Sequence, residues 1–278
     1  MISIYKCPVC DDALDFQQRH WCCVNNHHFD VAREGYVNLL LAHQKKSKQA
    51  GDSKMMIQSR RQFLNNHYYD ILPEKLSELL SIHSLPRPFL LLDVGCGEGY
   101  YSGFIHKNQP ECQIWGVDIS KPAIAAAAKR YSDISFFVAS SYRLPVNDQA
   151  VDVVVKNYAP ADSNEILRVL TPGGLYISIT PGASHLLGLK QLIYDTPKKH
   201  DEAEATPNGF ERLDQVVLRG SIEMDNNRDI SNLLAMTPYF WQLSEARHQA
   251  IAALTALSTE INFIINIYRR DPLKIRDI

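Results

Sequence analysis

The sequence predicts an α/β protein built on a doubly wound, mostly parallel sheet of seven strands, preceded by a small metal-binding module. Three observations predict it. The apolar run Leu90-Leu91-Leu92-Asp93-Val94 opens directly into three alternate glycines, Gly95, Gly97 and Gly99, as a buried strand does when it turns tightly into a helix. Short apolar runs then alternate with helical segments along the rest of the chain, the pattern of strands joined by crossover helices. Ahead of both lies Cys7-x2-Cys10-x12-Cys23-x3-His27, a spacing of soft ligands that suits one zinc ion.

The 278 residues are 45% hydrophobic and 22% charged, with a formal charge of −2. These proportions are ordinary for a soluble globular protein and are not those of a globally basic one. Any contact with nucleic acid must therefore come from a local patch. The sequence shows neither an 18-residue apolar span nor a charged-then-apolar leader. The expected address is the cytoplasm, with no membrane partner. The six cysteines, at 7, 10, 22, 23, 96 and 112, then read as thiols or metal ligands instead of a disulfide framework.

Taken in order, residues 1–42 form the first unit. Two thiolates spaced by two residues grip an ion from a tight turn, and a second pair closes the tetrahedron. Four protein ligands leave no open position, so one structural zinc is expected. A segment of this size has too little core to fold alone, and metal binding supplies the missing free energy. The second pair is ambiguous, because Cys22 neighbours Cys23 and His28 neighbours His27.

Residues 43–84 form a basic connector with helices. Lys45, Lys46, Lys48, Lys54, Arg60 and Arg61 face one acid, Asp52, within residues 43–61. Such a stretch attracts phosphates, or is simply a solvated linker ahead of an ordinary helix. Asp52 or Ser53 caps a helix from Lys54 to Leu64, and Pro73 opens another through about Ser81.

Residues 85–278 carry the alternating elements. Strands are expected at Leu90 to Asp93, Ile114 to Asp118, Ser135 to Ala139, Val151 to Lys156, Leu175 to Thr180, Val216 to Met224 and Ile261 to Tyr268. Helices are expected at Tyr100 to Lys107, Pro122 to Tyr131, Asn164 to Leu170, Ile230 to Met236 and Ser244 to Leu257. One strand near the edge should run antiparallel. Ligands of such sheets bind beyond the carboxyl ends of the strands. The Gly95 turn, Asp118, Ser140, Asn157-Tyr158-Ala159-Pro160 and the Pro181–His185 loop all fall there. Asp118 follows Gly95 by 23 residues, where a carboxylate accepts both hydroxyls of a ribose.

Asp93-x-Gly95-x-Gly97-x-Gly99, Asp118 and Leu170-Thr171-Pro172-Gly173-Gly174 together resemble the class I, Rossmann-like S-adenosylmethionine-dependent methyltransferases. The pairing of that turn with the Cys/His module is similar to the bacterial 23S ribosomal RNA (guanine-N1)-methyltransferases. Glu34-Gly35-Tyr36-Val37-Asn38-Leu39-Leu40, Gly51-Asp52-Ser53, Asp93 to Tyr101, Ala126 to Tyr131, Val138 to Ser141 and Tyr158-Ala159-Pro160 carry the likeness, from about Cys7 to Arg269.

The resemblance implies S-adenosylmethionine contacts at Tyr69, Asp93, Gly95, Gly97, Glu98, Gly99, Asp118, Ser140 and His185. It implies zinc ligands Cys7, Cys10, Cys23 and His27, leaving Cys22 a spare thiol. It tips Lys45, Lys46, Lys48, Arg60 and Arg61 toward contact with 23S RNA, in the hairpin 35 region, and makes a homodimer plausible.

Guanine N1 carries a proton, so its methylation calls for a base. Asp162 and His185 are candidates, and Tyr158 is a candidate for stacking on a splayed base. Asn157-Tyr158-Ala159-Pro160 is not the N/D-P-P-Y/F tetrad of amino-group methyltransferases. Two rival readings remain: a zinc-bearing methyltransferase of a small metabolite, and a non-catalytic RNA-binding or assembly protein.

Overall fold

The structure, a computed structural model, describes residues 3–44, 51–83, 85, 88–202 and 204–271. Lys45, Lys46 and Lys48 lie outside the described residues. The N-terminal unit is a three-stranded antiparallel sheet of β1 (Asp15–Gln17), β2 (His20–Cys22) and β3 (His28–Asp30), followed by β4 (Val37–Asn38). Two helices come next, α1 (Lys54–Asn65) and α2 (Ile71–Ile82). Ser53 caps α1, its side chain accepting from the Met56 amide at 3.2 Å.

Strand and helix then alternate: β5 (Leu90–Val94), α3 (Tyr100–Asn108), β6 (Gln113–Asp118), α4 (Lys121–Arg130), β7 (Ser135–Val138), β8 (Val151–Asn157), α5 (Ser163–Val169), β9 (Leu170–Pro181) and α6 (Leu187–Ile193). The chain closes with β10 (Phe210–Met224), α7 (Asn227–Ala235), α8 (Glu245–Ala252) and β11 (Leu257–Arg270). Among the described residues no helix is long and apolar enough to cross a membrane.

The main sheet has eight strands in the order β10-β11-β9-β8-β5-β6-β7-β4. The expected seven are present, and β4 is the addition. It pairs in parallel with β7 through Val37 opposite Phe137 and Asn38 opposite Val138. Two residues are too few for any periodicity to show. The antiparallel strand is β11, which opposes both β9 and β10. β10 and β11 are longer than the sequence suggests, and α8 stops at Ala252, short of the expected end at Leu257, where β11 begins.

Strands buried on both faces read as continuous apolar runs, and β5 and β8 do so. Leu91, Val153 and Val155 pack into a cluster with Phe63 of α1, Leu72 of α2 and Ile105 of α3. Leu92, Val94 and Val154, one residue out of phase, face the opposite cluster with Ile4, Tyr5, Leu14, Val37 and Leu39. The N-terminal unit thus covers sheet surface that would otherwise need a helix. Each such large side chain withdrawn from water contributes about 1.5–3 kcal/mol. Tyr5 ties the two units together through a bridge to Val146 and an edge contact to Phe137, with ring centroids 5.2 Å apart.

From β5 the chain steps outward to β6 and β7, then returns to place β8 on the other side of β5. The loops leaving β5 and β8 diverge there, and a crevice opens between them.

Candidate active site and metal centre

The glycine turn occupies that crevice. Gly95 has φ +76°, and a Cβ on it would lie 2.2 Å from the Ala159 Cβ, so no side chain fits. Gly97 has φ +57°, and a Cβ there would meet only Arg60 Nη1 at 3.8 Å, pointing into open space. At the head of α3, Gly99 brings no capping side chain, which leaves the first amides of the helix available to a ligand. The cavity beyond the turn has a volume of about 960 Å³, ample for a nucleoside-sized ligand with room beyond it.

Acidic residues frame the cavity. Asp118, at the end of β6, accepts from the Gly97 amide at 3.0 Å and from the Ser120 amide at 2.7 Å. Burial raises its carboxyl above the usual range, against the pull of those two amides. Asp93 is buried in β5 and accepts from Ser102 Oγ at 2.5 Å. Burial pushes it up to about 7, with the Ser102 bond lowering it and the Asp118 charge raising it.

Tyr69 and His185 close the far wall, the Tyr69 hydroxyl lying 3.5 Å from His185 Nε2. His185 Nδ1 accepts from the Asn262 amide at 3.1 Å, so the ring proton sits on Nε2. Burial drives the imidazole down to about 3, helped by the charges of His200 and Lys190. With Nδ1 taken by the Asn262 amide, Nε2 presents its proton toward the Tyr69 hydroxyl and the cavity, an arrangement suited to orienting a ligand.

Ser140 lines the same cavity, at the end of β7, its Oγ accepting from the Tyr142 amide at 3.3 Å. Tyr158 stands at the rim with φ +53° and 43% of its surface exposed, its ring centroid 5.7 Å from that of His185.

Three expectations meet a different arrangement. Asp162 is not among the cavity-lining residues: its carboxylate caps α5, accepting from the Asn164 amide at 2.9 Å. Glu98 lies against the cavity, but its carboxylate is turned into the protein. It takes Arg61 Nε at 2.6 Å and Arg130 Nη1 at 3.4 Å, clamping α1 to α4. Arg60 and Arg61 are each engaged by a carboxylate of the protein. Arg60 pairs with Asp52 and lines the cavity beside Gly97, and Arg61 belongs to Glu98. Carboxylates placed beside α1 pair with both guanidiniums, whose side chains stay 27% and 36% exposed.

Sequence reasoning passed over Asn157, whose Oδ1 is buried with no hydrogen-bond partner and which lines the cavity. A buried orphan acceptor awaits a donor, and the ammonium of an amino-acid moiety is one. Lys156, whose ammonium burial pushes down, and Tyr239 also line the cavity unannounced. Only the position of Asn157 at the end of the fourth expected strand could have signalled it.

The metal centre is assembled without ambiguity. The ligand atoms of Cys7, Cys10, Cys23 and His27 all lie within 4.8 Å of one another. Cys10 and Cys23 sulfurs are 3.6 Å apart, and His27 Nδ1 is 3.6 Å from Cys7 Sγ and 3.3 Å from Cys23 Sγ. A tetrahedral zinc with its ordinary bond lengths has edges of about 3.6–3.8 Å. The cluster fits zinc, with every position filled by protein.

The fold and the cavity define an S-adenosylmethionine-dependent class I methyltransferase carrying a zinc ribbon. Residues 5–48 match the zinc-ribbon family described as RlmA, N-terminal, and residues 91–174 match a methyltransferase domain. The chain is 31% identical over 252 residues to the 23S rRNA (guanine(748)-N(1))-methyltransferase of Streptomyces fradiae, covering 87% of each chain. It is 29% identical to a protein of Micromonospora griseorubida, over 96% of this chain and 97% of that one. It is also 29% identical to YxjB of Bacillus subtilis, over 95% and 97%. Both carry 23S rRNA (guanine-N(1)-)-methyltransferase in their names. The chain belongs to the 23S rRNA (guanine-N1)-methyltransferase family.

Proposed function

We infer that this chain transfers a methyl group from S-adenosylmethionine to N1 of a guanine in 23S ribosomal RNA, in the hairpin 35 region. The observation that carries the reading is the switch-point cavity, with the glycine turn and Asp118 at one end and Tyr158 at its open rim. When bound, S-adenosylmethionine supplies an electrophilic methyl group on a sulfonium. The residues of the chain position the reactants and exclude water.

In this reading Asp118 receives the ribose hydroxyls and Ser140 lies by the adenine. Asp93, Gly95, Gly97 and Gly99, with Tyr69 and the His185 Nε2 proton, hold the amino-acid end. Asn157 Oδ1 accepts from its ammonium. Tyr158, exposed at the rim of the cavity, would stack on the extruded guanine. The zinc ribbon presents the hairpin, with Lys45, Lys46 and Lys48 supplying phosphate contacts. A homodimer and a cytoplasmic location complete the proposal, read out by light scattering and by fractionation.

Purified protein is incubated with labelled methyl donor and unmodified 23S RNA, and the digested RNA is resolved. Labelled N1-methylguanosine from the hairpin 35 region is the expected product. Label absent from the RNA, or on another guanine atom, overturns the reading.

A further inference from the structure

The zinc ribbon carries a second set of soft ligands that its structural ion does not use. His20, Cys22 and His28 bring one ligand atom each to within 4.8 Å of one another. The reason is the strand period. Successive side chains of an extended backbone point to opposite faces. The dipeptides Cys22-Cys23 and His27-His28 are therefore divided: Cys23 and His27 serve the structural tetrahedron, and Cys22 and His28 turn to the other side.

Register completes the second set. Cys22 lies directly opposite His28, and His20, two residues back on β2, shares their face. The ring centroids of His20 and His28 are 4.8 Å apart. Trp21, on the alternate face, packs on Tyr5 at 4.8 Å and so fixes which way β2 presents its ligands. His28 has an outer hydrogen bond of the kind metal-ligating histidines keep. Its Nε2 lies 2.8 Å from Asn26 Oδ1, an acceptor, so that nitrogen holds the proton and Nδ1 keeps its lone pair.

We propose that His20, Cys22 and His28 form a second, exchangeable binding site for a zinc-type divalent ion, back to back with the structural zinc. Three protein ligands leave one coordination position open. Asp15 and Asp30, the register partners of Cys22 and His20, share that face of the small sheet. Binding takes the Cys22 sulfur as a thiolate, releasing its proton to solvent. With fewer ligands and an exposed His28, this ion is held more weakly than the one enclosed by Cys7, Cys10, Cys23 and His27.

Full-length protein is titrated with Zn2+ against a chromophoric chelator, and in parallel with Co2+ as a spectroscopic probe of thiolate ligation. Two equivalents are expected, the second removed by a mild chelator that leaves the first. Cys22→Ser and, separately, His28→Gln should each weaken the second equivalent at least tenfold while retaining the first. In Cys22→Ser the thiolate-to-cobalt band of the second equivalent should vanish. Should Cys22→Ser disturb folding, the exposed His28→Gln decides alone. Saturation of the wild-type chain at one equivalent, or unchanged binding of the second in His28→Gln, overturns the proposal. Metal counting involves neither RNA nor methyl transfer, so its outcome is separate from that of the proposed reaction.

Discussion

Gly95 and Ala159 touch across the gap between the loops leaving β5 and β8, so closely that a Cβ on the glycine would sit 2.2 Å from that of the alanine. The contact joins the turn proposed to hold the methyl donor to the loop that carries Tyr158. Gly95→Ala forces apart two loops that must close around one reaction. The φ of +76° adds backbone strain to the overlap, for a combined cost of roughly 2–4 kcal/mol. Calorimetry should show at least a tenfold weaker uptake of S-adenosylmethionine, about 1.4 kcal/mol, with a lowered melting temperature. Unchanged affinity would show that the turn does not contact the donor.

Asp93 makes stability depend on pH in an unusual direction for a carboxylate. Its folded value is about 7, against about 3.9 in an unfolded chain. The folded state therefore holds a proton that the unfolded state releases. The associated stability is present in full below about pH 4 and is lost as pH rises through 7. Asp93→Asn keeps an acceptor for Ser102 and removes the titration. In urea melts without ligand, this variant should gain on the wild type between pH 5 and 8, by at most roughly 3 kcal/mol. A constant difference across that range would refute the assignment.

His185 yields the opposite sign. Its folded value is about 3, below the unfolded value of about 6.5, so its contribution is lost as pH falls from 6.5 toward 3. Across the neutral range the ring is uncharged and donates from Nε2. His185→Gln should raise KM for the methyl donor about tenfold, an effect of the size expected for one hydrogen bond in a binding site. The shape of the pH–rate profile should stay unchanged. Disappearance of the acid limb in this variant would make His185 the base after all.

Glu98 separates clamp from contact. Its carboxylate is turned into the pairs with Arg61 and Arg130, so Glu98→Gln should cost about 1–3 kcal/mol of stability. Donor affinity should stay within a few-fold of wild type. Thermal melts and calorimetry on one preparation measure both; a collapse in affinity without loss of stability would reverse the assignment.

The β5 strand, its glycines and Asp118 were legible because a strand, a turn and an acid are local features with fixed spacing. The Cys/His set was legible for the same reason. β4 escaped because two residues carry no period, and α6 because no capping side chain marks its start after Leu186, a residue at φ +56°. The pairing of Arg60 and Arg61 depends on where α1 lies beside Asp52 and Glu98, which no helical pattern records. Asn157 carries no legible role in the chain, because a lone polar residue after a strand matches no pattern that assigns it one. Its unpaired oxygen exists only once β8 is buried.

The pairing of Val37 with Phe137 spans one hundred positions of sequence, and it has a consequence during synthesis. The ribbon can take up its metal long before β7 emerges, so the finished knuckle must wait with Val37 and Leu39 uncovered. Cutting the ribbon away would not free a tidy catalytic fragment. It would bare the flank of β7, an open hydrogen-bonding border that invites other chains to dock and aggregate.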